Sequence, residues 1–217
     1  MASALTLFRD IRPAWSDDNL LSIAHQIRAR LFLAHVRAST GSATTRANCH
    51  PFAADNWLFM HNGQIGGWDR LRRQIEMMIP DDIFPLRCGT TDSEALFLIM
   101  LANGLDRNPL AACAAALMQV ERLMARADIT EPLRFTAAFS NGRELYAVRY
   151  ASDCRPPTLY TKSCTGKGST LVVSEPLDEA RGGWVEVPPQ SFVTVTDAGV
   201  SLAPLRVSRQ AELEPVM

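Results

Sequence analysis

Arg134-Phe135-Thr136-Ala137-Ala138-Phe139-Ser140-Asn141-Gly142-Arg143-Glu144-Leu145-Tyr146-Ala147-Val148-Arg149-Tyr150 places two largely apolar runs on either side of an Asn-Gly pair. Asn-Gly between β-forming runs is the strongest short hairpin signal, because both residues tolerate the positive φ that tight antiparallel turns require. Arg134–Ser140 and Glu144–Tyr150 are therefore expected to pair as antiparallel strands. Working towards the C-terminus, further strands are expected at 158–161, 170–174, 184–187 and 191–196. Turns are expected at Gly166-Lys167-Gly168 and at Asp197-Ala198-Gly199, and the segment after Arg206 is polar.

Working towards the N-terminus, the pattern turns helical. Ser16-Asp17-Asp18-Asn19 is an N-cap cluster followed by Leu20, Ile23, Ala24 and Ile27 at helical spacing, which predicts a helix over 17–29. Leu31 to Val36 reads as a buried strand, and Trp57-Leu58-Phe59-Met60 as a second one that breaks at His61-Asn62-Gly63. Trp68, Leu71, Ile75 and Met78 fall on one helical face that Pro80 stops. Thr91-Asp92-Ser93-Glu94 has the form of a capping box before an apolar helix, and Pro109 opens another helix to about Ala127. Helices thus cluster in the first half and antiparallel strands in the second, an α+β pattern without strict βαβ alternation. One domain is expected over 1–205, with 206–217 as a polar tail.

The bulk properties bound the function. The chain has 217 residues, 47% of them hydrophobic, and a formal net charge of -1. That balance offers no electrostatic footing for nucleic acid or an anionic membrane. No run approaches the ~18 apolar residues of a membrane span. Met1 to Asp10 carries neither a basic segment nor a long apolar stretch, so it does not read as a signal peptide. The five cysteines (Cys49, Cys88, Cys113, Cys154, Cys164) form no C-x-x-C pair and read as buried thiols of a reducing compartment, so a cytoplasmic location is expected. No cofactor is implied. Cys49, His50, His61 and Cys88 lack any recognised zinc-ligand spacing, and no metal is expected. Gly166-Lys167-Gly168-Ser169-Thr170 lies between strands rather than before a helix, so it is a turn and not a phosphate loop.

Three short features carry candidate chemistry. Arg37 follows an apolar run and opens a polar stretch that extends to His50, rich in Ser and Thr; it suits either a solvated surface position or an anion contact. Asn62-Gly63 after an apolar strand suits an ordinary turn or a pair of hydrogen-bond donors. Asp92 belongs to a helix cap, which does not prevent its carboxylate from also meeting a cation.

Taken together and in this order, these segments resemble the class II (N-terminal-nucleophile) glutamine amidotransferases. They are most similar to the stand-alone type related to the γ-glutamyl hydrolases of ergothioneine synthesis. The resemblance is carried by His35-Val36-Arg37-Ala38-Ser39-Thr40, Asn48-Cys49-His50-Pro51-Phe52, Phe59-Met60-His61-Asn62-Gly63-Gln64-Ile65 and Thr91-Asp92-Ser93-Glu94-Ala95-Leu96. Ser174-Glu175-Pro176-Leu177-Asp178, Trp184 and Val187-Pro188 extend it. It implies an αββα sandwich and a pocket for glutamine or a γ-glutamyl small molecule. In that pocket Arg37 would take the α-carboxylate through parallel charge-assisted bonds, and Asp92 the α-ammonium. Asn62 (side-chain amide) and Gly63 (backbone N–H) would form the oxyanion hole. His61 is given no catalytic role. An assembly of identical chains is compatible with the pattern.

The resemblance also implies a nucleophile that is an N-terminal cysteine, with its own α-amine as base. This chain begins Met1-Ala2-Ser3, and no cysteine precedes Cys49. Cys49 lies beside His50, but neighbours on an extended segment point opposite ways and do not form a thiolate pair. In family terms the chain is expected to lack its first strand or strands, and as given to be inactive. The alternative is a non-catalytic form of the fold that binds an amino acid or a protein.

Overall fold

The computed structural model describes residues 5–36, 43–164, 168–178 and 183–207. The expected hairpin is its centre. Strands β3 (Arg134–Ser140) and β4 (Leu145–Ala151) pair antiparallel, with Phe135 opposite Tyr150 and Phe139 opposite Tyr146. Gly142 has φ +82°, and the Asn141 side chain accepts the Arg143 and Glu144 amides, each at 3.0 Å. The side chain thereby ties off the turn that the pair predicted.

Around this hairpin a six-stranded sheet builds in the order β1 (Phe52–Ala54), β2 (Trp57–Gln64), β3, β4, β8 (Ser191–Thr196) and β9 (Gly199–Pro204), with every pair antiparallel. A second sheet has three strands in the order β6 (Ser169–Val173), β5 (Tyr160–Cys164) and β7 (Val185–Glu186), again antiparallel. The helices are α1 (Asp18–Gln26), α2 (Trp68–Glu76), α3 (Asp92–Ala102) and α4 (Pro109–Arg126). No helix of the described residues is long and apolar enough to cross a membrane.

Strand alternation divides the core in two. Phe59, Phe135, Phe139, Tyr146, Val148 and Phe192 point from the large sheet into the core shared with α2, α3 and α4. Ala138, Ala147 and Val193 point the other way, where they meet Leu159, Val187 and Val172 from the small sheet and its flanks. The two sheets therefore lie face to face, with α2–α4 outside the larger one. Helix α3 is buried all round from Ser93 to Met100, which explains why its sequence is apolar without a polar stripe.

Four expectations change. Residues 31–36 join no ladder, although Leu31, Leu33 and His35 are half-buried while Phe32, Ala34 and Val36 are exposed. The alternation is that of a strand, but no neighbour supplies the pairing. Helix α1 ends at Gln26, because Ile27 leaves the helical region with ψ 133°. β2 does not break at His61-Asn62-Gly63. These residues stay in register with Ala137, Thr136 and Phe135, since the β3 partner continues past them. β9 went unpredicted because its Gly-Val-Ser-Leu-Ala-Pro sequence carries little β-branched character. Among the described residues α1 buries none of its own, and Trp15 (77%), Phe32 (64%) and Val36 (78%) are strongly exposed.

Phe59 is fully buried and stacks on Phe97 of α3 with ring centroids 5.1 Å apart. Phe59→Ala should lower unfolding stability by about 3–5 kcal/mol, the cost of a large buried cavity; the midpoint and slope of urea unfolding check this.

Candidate functional site

The site is built where β2 leaves the sheet. The last ladder pair is Gln64 with Arg134, so the next amide, that of Ile65, needs another acceptor. Asp92 Oδ2 provides it at 2.9 Å. Asp92 is the first residue of α3, where the helix dipole favours a carboxylate, and its Oδ1 accepts the Ser93 amide at 2.8 Å. One hydrogen bond therefore holds the Asp92 carboxylate beside the strand end that carries Asn62 and Gly63. Asn62 and Gly63 are exposed and Asp92 is half-exposed, so all three are open to a ligand.

Gly63 is fixed by its surroundings. Its φ is +155°, and a Cβ there would lie 2.0 Å from the Arg134 carbonyl oxygen and 2.6 Å from His61 Nε2. Only glycine leaves space for both. His61 is 3% exposed, with Nε2 3.1 Å from the Arg134 carbonyl and Nδ1 2.9 Å from Ser93 Oγ. Burial pushes the imidazole below its ordinary value, although the Asp92 charge opposes the shift. A carbonyl only accepts, so Nε2 carries the proton. In the neutral ring Nδ1 must then accept from the Ser93 hydroxyl.

Behind these residues the approach to α3 is clamped. Thr91 caps the helix, accepting the Glu94 amide at 3.2 Å. Glu94 does not complete the capping box. Its carboxylate instead accepts the Cys88 and Gly89 amides at 3.0 and 2.7 Å and lies 3.4 Å from Arg87 Nη1. Arg87 also donates to the Thr91 carbonyl and to Glu76. Asn48, 1% exposed, bridges to the same stretch. Its Oδ1 accepts the Thr90 amide at 2.8 Å, while its Nδ2 donates to the Ala43 carbonyl at 2.8 Å and the Thr90 hydroxyl at 3.1 Å. Sequence reasoning gave no role to Asn48, Ser93 or His61 and read Glu94 as half of a cap. Asn48 meets Thr90, and His61 meets Ser93 and Arg134, across tens of residues, whereas Glu94 turns to Arg87, Cys88 and Gly89 just before the helix; no local pattern announces these contacts.

The structure thus bonds Asp92 to Ile65, two residues past Gly63 and three past Asn62 on the same chain segment. Arg37 lies outside the described residues. Cys49 Sγ sits 3.4 Å from the Asp10 carbonyl oxygen and 3.3 Å from that of Thr45, while His50 packs on His35 at 4.2 Å and on Phe52 at 4.7 Å. The adjacent thiol and imidazole therefore serve different surroundings, and of the five thiols expected to be buried only Cys113 is, because the others lie on loops or strand ends rather than on a helix face turned to the core.

The family model of the class-II glutamine amidotransferases matches residues 3–155. The chain belongs to this family. It is 30% identical over 236 residues to the probable glutamine amidotransferase DUG3 of Saccharomyces cerevisiae, covering 92% of this chain and 66% of that protein. It is also 30% identical over 203 residues to the γ-glutamyl-hercynylcysteine sulfoxide hydrolase of Mycolicibacterium smegmatis, covering 91% of this chain and 74% of that one. The chain thus spans about two thirds to three quarters of these relatives. Among solved structures, a glutamine aminotransferase class-II domain protein from Silicibacter pomeroyi superposes with a TM-score of 0.85 at 43% identity, over 94% of this chain and 86% of that one. Glutamine phosphoribosylpyrophosphate amidotransferase from B. subtilis shares the fold, with a TM-score of 0.53 at 18% identity over 80% of this chain and 34% of that one. The amidotransferase fold, with its antiparallel sheets, is the one anticipated from the sequence.

Two outcomes follow from the strand end. The folded chain holds His61 below its ordinary value of 6.5, so the unfolded chain takes up the proton first. Stability from neutral His61 is complete above about pH 6.5 and is lost as pH falls below it. Unfolding free energies measured from pH 7.5 down to 5.5 should therefore fall more steeply for the wild-type chain than for His61→Gln. Gly63→Ala should cost about 1–3 kcal/mol by overpacking, read by the same unfolding measurement.

Proposed function

We propose that this domain binds glutamine or a γ-glutamyl compound, in the geometry that amide hydrolysis requires. The observation that supports the proposal is the hydrogen bond of 2.9 Å from the Ile65 amide to Asp92 Oδ2, which ties that carboxylate to the segment following Asn62 and Gly63. Glutamine and γ-glutamyl compounds share an α-carboxylate, an α-ammonium and a γ-amide. Asp92 meets the ammonium, and Arg37 meets the carboxylate through a two-pronged guanidinium contact. The Asn62 side-chain amide and the Gly63 N–H face the γ-carbonyl, where negative charge develops when a nucleophile adds. The names of the yeast and mycobacterial relatives support this substrate class.

Turnover needs a nucleophile as well as these positioning groups. In amide hydrolysis of this type a thiolate adds to the γ-carbonyl, the amine leaves with a proton, and water then releases the acyl group. The 217-residue polypeptide has no cysteine before Cys49, and the Cys49 thiol faces carbonyl oxygens rather than a base. Cys49 is therefore not placed to act as that nucleophile.

Titration calorimetry with L-glutamine tests the binding half. Arg37→Ala and Asp92→Ala should each weaken binding by about 1.5–3 kcal/mol, the scale of a charge-assisted hydrogen bond. Equal affinity in all three chains would remove the assignment of these residues. For the turnover half, Cys49→Ser should leave ammonia release unchanged, because that thiol faces carbonyl oxygens. Release abolished by Cys49→Ser would instead make Cys49 the nucleophile.

A further inference from the structure

We infer that His61 is a positioning residue that holds the Ser93 hydroxyl proton away from Asp92, leaving that carboxylate open for a ligand ammonium. The inference rests on the proposed binding of an α-amino compound at Asp92.

Ser93 Oγ has two acceptors within reach, His61 Nδ1 at 2.9 Å and Asp92 Oδ1 at 3.4 Å. Its single proton can serve only one of them. The Arg134 carbonyl at 3.1 Å keeps the imidazole proton on Nε2, so Nδ1 is a standing acceptor for that hydroxyl. The ring cannot easily leave this position. It is packed by Phe135 at 5.0 Å and Phe59 at 6.3 Å, and the missing Gly63 Cβ is what gives its Nε2 room.

Asp92 meanwhile accepts two backbone amides, Ile65 on Oδ2 and Ser93 on Oδ1, and these orient the carboxylate without filling its acceptor capacity. A third internal donor at Oδ1 would compete with the ligand. With Nδ1 removed or protonated, the hydroxyl turns to Asp92 and does so. His61 therefore acts through Ser93 and touches no ligand atom. The charge that bears on the imidazole is that of Asp92, while Arg134 meets the ring through its backbone carbonyl.

The test uses the full 217-residue chain and two ligands, L-glutamine and glutaric acid monoamide, which is glutamine without its α-ammonium. His61→Gln should weaken L-glutamine about tenfold, the worth of one charge-assisted contact, and leave the monoamide within about twofold. Adding Ser93→Ala to His61→Gln should restore L-glutamine affinity, because the competing hydroxyl is gone. Equal losses for both ligands, or no restoration, would overturn the inference in favour of a purely structural histidine.

Imidazole nitrogen NMR gives a readout that needs no ligand. The expected spectrum has an Nε2–H tautomer whose Nδ1 resonance moves in Ser93→Ala. An Nδ1–H tautomer would overturn the inference even if His61→Gln does not fold. If the wild-type chain fails to bind L-glutamine while the tautomer is as expected, the binding proposal falls and the Ser93 proton assignment stands.

Discussion

The bond from the Ile65 amide to the Asp92 carboxylate is the constraint on which the site depends. It joins the end of a central strand to the start of a helix that is buried on every side. Neither element can slide without opening it. The free amides and the dipole at a helix N-terminus favour a carboxylate there. The same charge then orients the strand end. The geometry of an exposed cluster is thereby inherited from the packing of Phe59, Phe97 and Phe135, which lies well below the surface.

The sequence revealed the architecture wherever the code is local. Asn141-Gly142 announced the hairpin, Asp17 and Thr91 announced helix starts, and Pro109 opened α4. Asp92 and Asn62-Gly63 were legible as candidates, because capping motifs and strand-end glycines have recognisable forms. What escaped was set by distant partners. Asn62 and Gly63 stayed in a ladder because of β3, more than seventy residues on, which no local propensity anticipates. Glu94 differs: it looked like half of a capping box, but the Cys88 and Gly89 amides and Arg87, close before it in the chain, hold its carboxylate instead. His61 looked like packing because a lone buried histidine usually is. Its role emerges only from both ring nitrogens at once.

Family membership and the geometry address different questions. Membership accounts for the fold and for the order of the short motifs along the chain. The geometry explains why the residues between the motifs are what they are. Asn48 is buried with its amide saturated because it bridges Ala43 to Thr90, the residue two before Asp92. Replacing it by an apolar group would leave the Ala43 carbonyl and the Thr90 amide without the side chain that ties them together.

The two cores described above are of very unequal size. The one beneath the helices holds the aromatic residues, whereas the one between the sheets is made of Ala138, Ala147, Leu159, Val187 and Val193. Where apolar contact is thin, polar bonds take over. Arg149 of β4, buried in that layer, donates to the Pro157 and Val187 carbonyls and to the Glu186 carboxylate, and the Thr136 hydroxyl donates to the Pro157 carbonyl as well. A guanidinium buried there cannot lose these acceptors without a large penalty, so the small sheet is riveted to the large one by a charge rather than glued by area.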